Sequence, residues 1–174
     1  MKLKTVSKCV EAEIIFDFYT PINIEFEEMY PGRECVHCYE ISDTKDKSLL
    51  EIAIGSTSGD LKYITLVIPP PICIGKELYI NHIINEIEGL PSFETKNWSR
   101  DNLHTNVKID FDIYVNASKI LFALLPNKIT MKIINNRVVF GFDASNILCS
   151  IEIMDITASE RELFEESLTA KGKS

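Results

Sequence analysis

Glu11-Ala12-Glu13-Ile14-Ile15-Phe16-Asp17-Phe18-Tyr19-Thr20-Pro21-Ile22-Asn23-Ile24-Glu25-Phe26-Glu27 decides how this chain is read. Apolar and polar residues alternate through it at period 2, the mark of strands with one buried and one wet face. Val10, Ala12, Ile14, Phe16 and Phe18 are expected to point one way, and Glu11, Glu13, Asp17 and Tyr19 the other. Thr20-Pro21 supplies a turn, after which Ile22, Ile24 and Phe26 oppose Asn23, Glu25 and Glu27. From Cys9 to Gly32 there are six carboxylates and no Lys or Arg, so the wet face carries one sign of charge.

The same style returns downstream. Phe111-Asp112-Ile113-Tyr114, a turn, and Lys119-Ile120-Leu121-Phe122 form a second expected hairpin, placing Asp17 beside Asp112 and Tyr19 beside Tyr114 in an alignment of the two. Each is followed by another hairpin, Ile52 to Val67 with Ser58-Gly59 at its tip and Val138 to Met154 with Ser145-Asn146 at its tip. Further strands are expected at 35–41, 107–115, 119–124, 128–134 and 148–156, with Pro, Gly and Asn punctuating the turns. Between them, Ile80, Ile83, Ile84 and Ile87 at helical spacing before Gly89 predict a helix over 77–88. The competing assignment there is a strand with Leu78, Ile80, His82 and Ile84 on one face. Residues 89–98 read as a loop, and Ser159-Glu160-Arg161-Glu162 matches a capping box that starts an acidic helix to about Leu168. The expected fold is therefore α+β, mostly β: antiparallel sheets in two meander-like, pseudo-duplicated halves, with one connecting helix and a short C-terminal helix. All 174 residues are assigned to a single domain, with halves 1–72 and 105–174 joined by 73–104.

Net charge is −8, from 26 acidic and 18 basic residues. That balance disfavours nucleic acid, whose binding rests on Lys and Arg at phosphates, and suits a basic protein partner. Acidity that serves only solubility is the alternative. Five scattered cysteines without a signal h-region favour free thiols in a reducing cytoplasm, and no apolar run is long enough for a membrane helix.

No nucleotide cradle or serine elbow is present. Cys35-Val36-His37-Cys38 is one thiol pair where a structural zinc site commonly has two, and on a strand residues three apart diverge, so no metal or cofactor is expected. Asp17 with Asp112, or Glu25 with Glu27, could be read as a glycosidase carboxylate pair, but one Trp and short connections do not describe a sugar cleft. No catalytic residue is assigned. The candidate partner contacts are Glu11, Glu13, Asp17, Tyr19, Glu25, Glu27, Asp110, Asp112 and Tyr114, where tyrosines among carboxylates suit an interface.

In the hairpins Leu50 to Val67 and Val138 to Ile156, the Gly89-Leu90-Pro91-Ser92-Phe93 segment with Trp98, and the closing Ser159-Glu160-Arg161-Glu162 helix, the chain resembles small acidic immunity proteins of bacterial polymorphic toxin systems. The resemblance implies a non-enzymatic antitoxin that blocks a cognate toxin, often a nuclease. The alternatives are a structural or self-assembling β-rich protein and an enzyme with a dispersed active site.

Overall fold

The computed structural model describes residues 1–26, 35–44, 47–74, 85–96 and 103–171. Their elements are β1 (Leu3–Ser7), β2 (Glu13–Ile15), β3 (Ile22–Glu25), β4 (Val36–Ser42), β5 (Leu49–Gly55), β6 (Leu61–Ile68), β7 (Ile72–Ile74), β8 (Asn85–Glu88), β9 (Leu90–Phe93), β10 (His104–Lys108), β11 (Asp112–Val115), β12 (Lys119–Ala123), β13 (Met131–Asn135), β14 (Val138–Phe142), β15 (Leu148–Met154) and α1 (Ala158–Lys171). The fold is mostly β with one helix.

Strands assemble as β10-β4-β5-β6-β3-β2 in a first sheet and β7-β11-β12-β15-β14-β13-β8 in a second, with β1-β9 as a separate ribbon. Inside both sheets lies the same antiparallel five-strand order. In β2-β3-β6-β5-β4 and in β11-β12-β15-β14-β13, the second strand of the unit pairs with the fifth. Neither half is thus a simple meander. Three strands meander, and the preceding hairpin returns beside the last of them in Greek-key fashion. Parallel strands extend the units: β10 beside β4, β8 beside β13 and β7 beside β11.

Alternation sets which face is buried. Ile24, Ile64, Ile52 and Ile41 from the first sheet, and Ile113, Ile120, Ile151, Phe140 and Ile133 from the second, belong to one continuous apolar cluster. Phe26 meets Phe140 across it with ring centroids 6.0 Å apart, so the sheets pack as a sandwich over a shared core.

Several expectations are corrected. Asn85–Glu88 is a strand and not the end of a helix, while the rest of that expected helix, 77–84, lies outside the described residues. Gly89 turns the chain with φ 149°, and 90–93, expected as a loop, pairs with β1. The expected strand 107–115 is two strands in different sheets, because the chain leaves the first sheet at Ile109, whose N–H donates to Ser42 O, and enters the second at Asp112. Asp17 is not a strand residue: its Oδ1 accepts the N–H groups of Tyr19 and Thr20 at 2.8 and 3.2 Å. Asn116 does the same for Ser118 and Lys119 in the second hairpin, which makes Asn116, and not Asp112, the counterpart of Asp17. The capping box is Thr157 with Glu160, two residues earlier than expected. Glu160 N–H donates to Thr157 Oγ1, and Thr157 N–H to Glu160 Oε2 at 2.7 Å.

The β1-β9 ribbon ties the two hairpin tips together. Phe93 N–H donates to Gly59 O at the first tip, and Leu3 N–H to Asn146 O at the second. Both acceptor residues have positive φ, 80° and 61°.

Candidate protein-binding face

The outward face of the first sheet is organised by register. His104, Cys38, Ala53, Tyr63, Glu25 and Glu13 stand opposite one another in a row across all six strands. The adjacent row holds Asn106, Glu40, Glu51, Thr65, Asn23 and Ile15. Glu13 therefore faces Glu25 directly, and Glu40 faces Glu51. Directly opposed like charges destabilise a sheet by a few tenths to about 1 kcal/mol.

Polar neighbours hold these groups in place. Asn23 Nδ2 donates to Glu25 Oε1 at 2.8 Å, and Thr65 Oγ1 donates to Asn23 Oδ1 at 2.7 Å. His104 Nδ1 lies 3.0 Å from Glu40 Oε1. Tyr63 Oη is 3.5 Å from Cys38 Sγ, and burial followed by its contacts with Cys38 and Glu51 pushes the phenol far up. Burial likewise pushes the Cys38 thiol up, opposed in part by the Tyr63 hydrogen bond. Both groups are protonated at neutral pH, so the middle of this row is neutral, with Glu51 of the adjacent row beside it.

Beside the face, the β2-β3 hairpin exposes Phe18 and Tyr19, with rings edge-to-face at 5.3 Å. Glu11 is exposed on the approach to β2. The structure thus groups Glu11, Glu13, Asp17, Tyr19 and Glu25 on one hairpin, and Glu27 lies outside the described residues. Asp110 is spent on the fold, its Oδ1 accepting Thr44 N–H at 3.0 Å and Thr44 Oγ1 at 3.1 Å. Asp112 and Tyr114 lie on the outward face of the second sheet, alternating with buried Ile113 and Val115. One flat partner surface does not reach both sets.

Glu40, Glu51, Tyr63 and His104 carry no mark of a shared placement in the sequence, because each lies in a different strand. Only register brings them together. On the second sheet, by contrast, the central carboxylate is neutralised: Glu152, 3% exposed, sits 3.0 Å from Lys132 Nζ and 3.9 Å from Lys119 Nζ.

Cys35 is exposed ahead of β4, while Cys38 is buried among the residues of the outward row. Among the described residues no group of three His, Cys, Asp or Glu side chains is placed to hold a metal. No described helix is long and apolar enough to cross a membrane. No protein-family model matches the sequence, and no curated protein matches it.

Behind the face, His37 is buried with Nε2 2.8 Å from Thr105 Oγ1. Burial, then the neighbouring His104, holds its pKa below the ordinary 6.5. The unfolded chain then binds the extra proton more readily, so stability is fully present above pH 6.5 and falls as pH drops through 6.5 toward the folded value. Urea midpoints measured down this window should decrease, and His37→Gln should flatten the decrease. An unchanged slope in the variant would assign the pH dependence elsewhere.

Proposed function

We propose that this chain is a non-enzymatic, protein-binding inhibitor of the immunity type. It engages a cationic protein, such as a basic nuclease toxin, through the outward face of its first sheet. The observation that carries this is the two pairs of opposed carboxylates, Glu13 with Glu25 and Glu40 with Glu51, on one face. Such a placement costs the unbound chain stability, and a partner bearing Lys or Arg relieves it. The net charge of −8 also speeds encounter with such a partner. A basic site built to grip phosphates is blocked when a carboxylate surface of this kind covers it.

Stability and binding should consequently move in opposite directions. Glu25→Gln with Glu51→Gln keeps side-chain shape and leaves an amide oxygen at 25 to accept from Asn23, while removing one charge from each opposed pair. Urea unfolding should show a gain of about 1 kcal/mol, and recovery of basic partners from the native cytosol should fall at least about tenfold, equivalent to about 1.4 kcal/mol. Unchanged recovery together with unchanged stability would sink the proposal.

A further inference from the structure

We infer that the free side of β2 is a docking edge that takes an extended segment carrying Lys or Arg at alternate residues, adding it to the first sheet as a further strand. The inference rests on the acidic-face function proposed above and specifies how the partner is held.

Hydrogen-bond phase identifies the groups on offer. Phe26 N–H donates to Lys62 O, continuing the β3-β6 register in which Ile24 faces Ile64. In an antiparallel ladder the residues that bond to one neighbour alternate with those that bond to the other. Ile22, Ile24 and Phe26 therefore bond toward β6, and Asn23 and Glu25 bond toward β2. Their partners there are Ile15 and Glu13. Ile14 is left with its N–H and C=O directed away from the sheet, and among the described residues β2 is the last strand on that side.

The side chains along this edge state what fits. A strand laid beside β2 brings its outward side chains next to Glu13 and the exposed Ile15, with exposed Glu11 just ahead of the strand and exposed Asp17 just after it. Beyond them stand Phe18 and Tyr19, the latter 79% exposed, with ring faces that attract a cation. Among the described residues, three of the five exposed large hydrophobic side chains, Ile15, Phe18 and Tyr19, lie on this one hairpin. A second copy of the chain would bring the Glu11, Glu13 and Asp17 carboxylates of two like-charged hairpins together at the same edge, whereas a basic segment brings opposite charge. Charge at and beside the edge thus favours a segment of opposite sign, in which backbone pairing supplies affinity and alternate side chains supply selectivity.

The test uses the full chain, labelled with nitrogen-15, and a capped peptide of alternating Lys and Val of about eight residues, enough for one strand. The Ile14 amide should exchange with solvent at least about tenfold more slowly when the peptide is present at saturation. The same peptide N-methylated at every residue, which keeps charge but has no N–H left to pair on either side, should not slow it. Protection by both peptides, or by neither, overturns strand addition. Ile14 protection that grows with protein concentration and without peptide also overturns it, in favour of self-pairing. Glu25→Gln with Glu51→Gln separates the two proposals. If that variant loses basic partners while wild-type Ile14 stays unprotected, the face binds and the edge does not.

Discussion

Gly59→Ala is expected to lower the unfolding free energy by about 3 to 5 kcal/mol, a large part of the stability of an ordinary domain. Gly59 has φ 80°, where an L-residue costs about 1–2 kcal/mol. The added Cβ would also run into the carbonyl of Phe93, a backbone group that cannot swing aside. Relief requires β9 to move, which breaks the bond from Phe93 N–H to Gly59 O and draws the fully buried Phe93 ring away from Phe142, a loss of about 1.5–3 kcal/mol for a side chain of this kind. The companion position at the second tip supplies the control. Asn146 has φ 61° and accepts the N–H of Leu3, but already carries a side chain, so Asn146→Ala should cost only about 1 kcal/mol. Urea unfolding of the two variants reads the contrast. Equal losses would mean that the close approach to Phe93 does not matter.

Which parts of this architecture could be read from the sequence follows from what is local and what is not. The alternation from Val10 to Phe26 placed Ile14, Phe16, Ile22, Ile24 and Phe26 toward the core, because a strand's side-chain period is a property of consecutive residues. Phe18 departs from it, since the chain has already entered the turn that Asp17 caps and the ring is 46% exposed. An aspartate on a strand face and an aspartate accepting two turn amides look identical in sequence. Residues 90–93 read as a loop because Pro91 and Gly89 signal breaks, yet Pro91 is tolerated in β9, which among the described residues forms a two-stranded ribbon with β1. The charge of the first hairpin was legible, but the opposition of Glu40 to Glu51 was not, since it follows from the 4–5 register. The shared strand order of the halves also escaped local reading. The hairpins signalled their own pairing, whereas β3 with β6 and β12 with β15 join segments that carry no mark of each other.

Lys132→Ala is expected to destabilise the protein by about 3 kcal/mol, the lower end of the cost of stranding a buried charge. Glu152 lies in the middle of the second sheet between Leu121 and Val139, both buried, and its best partner is the Lys132 ammonium at 3.0 Å. Lys119, at 3.9 Å and 30% exposed, remains and keeps the loss from being larger. Replacing both partners should behave differently. In Lys132→Met with Glu152→Met the carboxylate and its desolvation penalty vanish together, and the long apolar side chains lie against Leu121 and Val139, so stability should return to within about 1 kcal/mol of the starting protein. A double-mutant cycle in urea checks this, and a double variant as unstable as Lys132→Ala would show that packing around Lys132, and not the stranded charge, dominates. The same pair separates the two faces functionally. A charge pair closed on itself within the second sheet has no cation left to seek, so the double methionine variant should retain every basic partner that Glu25→Gln with Glu51→Gln releases.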